Sequence, residues 1–148
     1  MFKKIVVGLD GSDHSENALR VACDLAKKYD SEICLVHTPQ PETVAFAMGA
    51  VTGYHVVTTM PSDSEVREAA QKIVDKGKAI AADMGCAVAR EHTQRGDPAD
   101  EIVTTARDFG ADLIVTGRRG LGFVGSLVQG STTQKIGHEA SCAMLTVV

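Results

Sequence analysis

Near the end of this 148-residue chain, glycines and small polar residues have the types and spacing to hold an anion. Gly117-Arg118-Arg119-Gly120 follows the apolar run Ala111–Thr116, and nine residues later comes Gly130-Ser131. Ser131-Thr132-Thr133-Gln134 then reads as the start of a helix. A strand, a glycine-rich loop and a helix N-terminus in that order suit a phosphate. Glycine lets backbone N–H groups crowd an anion with no Cβ in the way. The unsatisfied N–H groups and the dipole of a helix start favour negative charge. Gly130 is expected to hold a backbone conformation that glycine takes more easily than other residues. A second special loop, Gly8-Leu9-Asp10-Gly11-Ser12, ends the first apolar run.

The elements that must position these loops alternate between strand and helix. Lys4–Asp10 reads as a buried strand, with Ser12 or Asp13 capping a helix whose apolar positions Ala18, Ala22, Leu25, Ala26 and Tyr29 repeat at helical spacing. Glu32–Thr38 is the second strand. Pro39 to Pro61 shows no clear period and is long for a connection; it reads as a surface loop or as an extension of the following helix. Val66 to Met84 forms a long amphipathic helix and Ala87–Thr93 a third strand. Asp97-Pro98 supplies a cap and a first-turn proline for a helix that stops at Gly110. Ala111–Thr116, a helix over Ser131–Ala140 and the strand Ala143–Val148 complete the chain. This order predicts a single α/β domain over residues 1–148, an open parallel sheet of about five strands with helices on both faces. Ligands in such folds bind beyond the carboxyl ends of the strands, where both special loops fall.

Composition narrows the classes. A net charge of −4 and 4% aromatic residues, with no Trp, argue against a nucleic-acid surface. No apolar run reaches the roughly 20 residues of a membrane helix, and the N-terminus does not read as a signal peptide, so a cytoplasmic location without membrane insertion is expected. Cys23, Cys34, Cys86 and Cys142 are scattered and read as buried thiols. Cys34 and His37 fall on opposite faces of their strand, which argues against a dedicated metal site. Gly120 to Gly125 matches the G-x-G-x-x-G dinucleotide pattern, but after the fourth strand, where that fingerprint does not belong. No Walker A sequence is present.

The longer pattern, Gly-x2-Gly-x9-Gly-Ser, resembles the ATP-binding signature of the universal stress protein family, and the resemblance extends over nearly the whole chain. Gly8-Leu9-Asp10-Gly11-Ser12 is similar to the family's opening Asp-x-Ser segment. Leu35-Val36-His37-Thr38 stands where members carry their second strand. Gly96 to Ile102 resembles Gly-x-Pro-x-x-x-Ile, and Ala111–Gly120 the Ala-Asp-Leu-Ile-Val-x-Gly-x-x-Gly block. Ala143 and Thr146 depart from the usual Cys-Pro-Val-Leu-Val-Val ending. The resemblance implies a Rossmann-like sheet of the adenine-nucleotide α-hydrolase type. It implies adenine and ribose against Leu9, Asp10 and Thr38, and phosphates held by Gly117, Gly120, Gly130, Ser131, Thr132 and Thr133.

Residue chemistry agrees with that placement but leaves alternatives open. Asp10 can accept from an amine or a ribose hydroxyl, yet alone it reads as a turn residue or cap. Ser131-x-x-Gln134 also reads as a capping box, so Ser131 either caps its helix or meets phosphate. Arg118 and Arg119 read as a solvated pair that tunes affinity. His37 is a packed core residue or a ligand contact. The expected function is a regulatory ATP-binding protein, with Mg²⁺ riding on the phosphates and no dedicated catalysis. It would be a homodimer or higher oligomer through the C-terminal strand, read by a partner such as a membrane transporter. Two alternatives stand beside it: a slow ATP hydrolase or adenylyl-transferring enzyme, and an interaction module without nucleotide.

Overall fold

A computed structural model describes residues 1–40, 61–119 and 130–148. Gly120, the run Gly120 to Gly125 and most of the segment between Pro39 and Pro61 lie outside the described residues. The elements run β1 (Lys4–Leu9), α1 (Asp13–Tyr29), β2 (Glu32–His37), α2 (Asp63–Asp83), β3 (Val88–Thr93), α3 (Pro98–Phe109), β4 (Leu113–Gly117), α4 (Ser131–Glu139) and β5 (Ala143–Val147). The expected alternation is therefore observed, with strand bounds within one or two residues of the apolar runs.

The strands form one parallel sheet in the order β3-β2-β1-β4-β5. β1 sits in the middle because its side chains are buried on both faces, as an unbroken Ile5-Val6-Val7 run requires. Alternate residues serve the two faces. Ile5, Val7 and Leu9 pack with Ala18, Leu19 and Ile73 beneath α1 and α2. Val6, Cys34 and Val36 pack with Ile102, Ala106 and Ile136 beneath α3 and α4. The chain winds outward from β1 to β3 and then returns to place β4 on β1's other side. The helices that follow β1 and β4, α1 and α4, consequently pack on opposite faces of the sheet, which places the topological switch point at the carboxyl ends of these two strands.

Local chemistry sets the helix ends. Ser12 caps α1 by accepting from Ser15 N, and Asp97 caps α3 by accepting from Ala99 N and Asp100 N. The α3 stop at Gly110 has φ 70°, a left-handed conformation that glycine takes without a Cβ penalty. No helix among the described residues is long and apolar enough to cross a membrane.

Candidate functional site

The loop after β1 is organised by Asp10. Its Oδ1 accepts from Ser12 N at 2.9 Å and from Ser12 Oγ at 2.6 Å, while the Ser15 hydroxyl donates to Ser12 O at 2.9 Å. Gly11 at φ 89° completes the turn. Asp10 is thus a turn-former, one of the readings its type allowed, in the loop at the carboxyl end of β1. Leu9 takes a different direction from the one a base-flanking residue needs. Its side chain is 5% exposed and turns into the core beneath α2, where a Cβ on Gly77 would meet Leu9 Cδ1 at 2.6 Å. Its carbonyl faces β2 instead and accepts from His37 Nδ1 at 2.9 Å.

That bond fixes the His37 tautomer, because a carbonyl can only accept. Burial holds the imidazole pKa below its ordinary 6.5, against the pull of the Leu9 bond and of Asp10. His37 is therefore neutral, with its Nε2 lone pair an acceptor that has no partner. Thr38, one residue on, is 6% exposed with an unpartnered hydroxyl.

The loop after β4 begins at Gly117, where glycine is needed for a reason other than an anion. A Cβ there would lie 2.8 Å from the His14 carbonyl carbon and 2.9 Å from Ser15 N, so the first turn of α1 packs directly on this residue. Arg118 N donates to Val147 O at 2.7 Å, and the chain re-enters with Gly130 N donating to Arg118 O at 3.1 Å. Gly130 is the N-cap of α4, with no side-chain cap bond. One expectation and one alternative reading fall here. Gly130 has φ −62° and ψ 148°, ordinary extended backbone open to any residue, and a Cβ on it would meet Arg118 O at a normal 3.5 Å. Ser131 is the first helical residue and does not cap, because Gln134 N already bonds the Gly130 carbonyl. The N–H groups of Ser131, Thr132 and Thr133 consequently have no side-chain acceptor. Thr133 Oγ1 donates to Gly117 O at 3.2 Å, tying α4 to the end of β4. Its backbone is thus left to face a ligand, while its 4%-exposed hydroxyl is engaged in the fold.

Lys135 fastens α4 from the outside, 2.7 Å from Asp100 and 3.2 Å from Asp97. The two carboxylates, Asp100 first, push its pKa up to about 12. Asp97 is held below its usual range by the Asp100 N–H foremost, with Lys135 and the Ala99 N–H adding to it. The first turns of α3 and α4 are thereby held together at the carboxyl end of the sheet.

The arginines depart from the solvated pair expected. Both are half-buried, and the Nε atoms of Arg118 and Arg119 are buried without partners. Two positions that sequence reasoning passed over join them, His14 Nδ1 and Thr116 Oγ1, also buried and unpartnered. A threonine inside the apolar β4 run was the available signal for Thr116; nothing around His14 marked it. A Glu16 oxygen is also without a hydrogen bond, but it is held by Lys76 in an ion pair. Among the described residues, every other buried side-chain polar atom left unpaired lies at the carboxyl end of β2, at the end of β4 or in the first turn of α1. Unpaired buried polar atoms are rare and costly, and their concentration at one end of the sheet marks a place built to receive polar groups. No cluster of three His, Cys, Asp or Glu among the described residues is arranged to hold a metal.

A parallel α/β sheet with unpaired polar groups gathered at its topological switch point defines a domain of the Rossmann-like class. Comparison with known proteins gives the family: the universal stress protein family model matches residues 1–148, and the chain belongs to that family. It is 33% identical over 150 residues to universal stress protein YxiE of Bacillus subtilis, covering 99% of each chain. It is 34% identical over 151 residues to a universal stress protein from the QAH/OAS sulfhydrylase 3′ region of Thermus aquaticus, again covering 99% of each. Among solved structures, the hypothetical protein MJ0577 aligns with TM-score 0.78 at 23% identity, over 99% of this chain and 96% of that one. A universal stress protein in complex with cAMP aligns at TM-score 0.71 and 22% identity, over 99% and 97%. The universal stress protein from Archaeoglobus fulgidus in complex with dAMP aligns at 0.67 and 22%, over 99% and 98%. These structural likenesses confirm the fold.

Proposed function

We propose that this chain is a regulatory protein that binds ATP between the β1 and β4 loops. The observation that carries the reading is the concentration of unpaired buried polar atoms there. Hydroxyls of Thr38 and Thr116, the acceptor of His37 and the donors of Arg118 and Arg119 together offer what a nucleoside phosphate requires. The uncapped N-terminus of α4 supplies N–H groups and a positive dipole end for the phosphates, which Mg²⁺ would accompany. Structures of two relatives described as complexes with cAMP and with dAMP support an adenine nucleotide as the ligand class.

Binding serves signalling and not turnover in this reading. Residues 117–133 contain no Asp, Glu or His that would position a water against the phosphates. The bound state is read by a partner, a membrane transporter being one candidate class, from a cytoplasmic location. Among the described residues β5 is an edge strand that pairs only with β4 and contains neither charge nor proline, so it offers its other edge to a second copy of the chain. Sedimentation across concentrations should show a dimer; a monomer at high micromolar concentration, with and without ATP, would refute the pairing. Denaturing the purified protein and chromatographing the supernatant tests the ligand, with an adenine nucleotide expected. Turnover of saturating Mg-ATP at ordinary enzyme rates would overturn the non-catalytic reading.

A further inference from the structure

We infer that Lys135 is a positioning residue for the phosphates, holding the N-terminus of α4 to α3 and cancelling the carboxylate charge that α3 sets beside it. Lys135 has this role only if ATP lies at the uncapped N-terminus of α4, as proposed above. α3 and α4 pack on the same face of the sheet, where Ile102 and Ala106 share a core with Ile136. Each follows a parallel strand, β3 or β4, so both begin at the carboxyl end of the sheet.

The two N-termini are finished in opposite ways. Asp97 caps α3, its Oδ1 accepting from Ala99 N and Asp100 N at 3.0 Å each, and Asp100 and Glu101 add acids to the first turn. α4 has no side-chain cap bond and no acid in its first turn. A polyphosphate drawn to α4 therefore has carboxylates of its own sign for neighbours. Such repulsion acts over about 10 Å at roughly 0.1 M salt.

Lys135 answers that charge. It stands one turn beyond Ser131 on α4, with Nζ 2.7 Å from Asp100 Oδ1 and 3.2 Å from Asp97 Oδ1. Glu101 turns elsewhere, to His92 Nε2 on β3 at 3.0 Å. An exposed ion pair ordinarily gains little, because two mobile side chains must be ordered to make it. Here Asp97 is already fixed by its two backbone N–H bonds, and one ammonium serves two carboxylates. Asp100 and Asp97 hold Lys135 in its charged form, raising its pKa to about 12. A second tie comes from Thr133, whose Oγ1 donates to Gly117 O at 3.2 Å. α4 is thus fastened to α3 by Lys135 and to β4 by Thr133, which sets the direction of its first-turn N–H groups. Lys135 and Asp97 stand 38 residues apart, so no spacing rule announces the tie.

The test is calorimetric titration with Mg-ATP of nucleotide-free wild-type, Lys135→Met and Lys135→Arg proteins, at low and at high salt. Melting curves establish that each is folded at the titration temperature. Methionine keeps an unbranched chain and removes the charge. It should weaken ATP binding by roughly two- to fivefold at low salt, the range of an exposed ion pair. The loss should shrink at high salt, where the carboxylates are screened. Arginine should restore wild-type affinity, since it carries the charge to the same two carboxylates. A Lys135→Met protein that binds ATP as tightly as wild type would overturn the inference. So would a loss unchanged by salt, or an arginine variant as weak as the methionine one, because either marks packing in place of charge. Wild-type protein with no saturable binding would instead refute the nucleotide reading itself.

Discussion

Replacing Gly117 with alanine separates the packing role of this glycine from any role in ligand binding. The new Cβ would stand 2.8 Å from the His14 carbonyl carbon and 2.9 Å from Ser15 N. Both are backbone atoms, and the Ser12 cap and the Asp10 turn fix them in place. No side chain can rotate away, so α1 or β4 must shift by a few tenths of an ångström or more. Forcing extra volume into a packed site costs about 1–3 kcal/mol. Restricting the unfolded chain at a former glycine returns about 0.4–1 kcal/mol. A net loss of about 1–2 kcal/mol corresponds to a melting temperature lowered by roughly 3–8 °C for a chain of this size. Thermal and urea melts of nucleotide-free protein check this, with Gly130→Ser as the comparison. A Gly117→Ala protein as stable as wild type would refute the packing argument and return Gly117 to a purely ligand-facing role.

Gly130→Ser should keep wild-type stability within a few tenths of a kcal/mol, because serine accepts φ −62° and makes a good N-cap. Its hydroxyl would engage the first-turn N–H groups of α4 that the phosphates need, and calorimetry should show ATP affinity down by about tenfold or more, the cost of one charge-assisted hydrogen bond. Thr133→Val removes the hydroxyl that donates to Gly117 O and should cost about 0.5–1.5 kcal/mol in denaturant melts, since a part-buried carbonyl loses its donor. His37 makes stability pH-dependent: its folded pKa lies below the ordinary 6.5, so the unfolded chain takes up the proton first. That contribution is fully present above 6.5 and is lost as pH falls toward the lower folded value. The slope reaches at most about 1.4 kcal/mol per pH unit, and His37→Gln should flatten it; equal slopes in the two proteins would contradict the assignment.

The sequence carried most of the architecture, because local rules decide it. Buried runs such as Ile5-Val6-Val7, the Ser12 and Asp97 caps and the Gly110 stop each act within a few residues, and each is found where its type and spacing indicate. The site was legible in outline for the same reason: loops at strand ends can be placed once the strands are known. What escaped depends on partners distant in the chain. Gly117 is glycine because of His14 and Ser15, and Leu9 turns inward because Gly77 leaves it room. Thr133 is engaged by Gly117, so a residue that sequence pattern assigns to phosphate divides its backbone and side chain between two tasks. No periodicity encodes such pairings.

Calorimetric titration of nucleotide-free protein with Mg-ATP reads out whether the unpaired polar groups at the carboxyl end of the sheet hold a nucleotide. A saturable isotherm with one ATP per chain, weakened by Gly130→Ser at unchanged stability, is the predicted result. No saturable binding at millimolar ATP, from protein that also releases no nucleotide on denaturation, would contradict it.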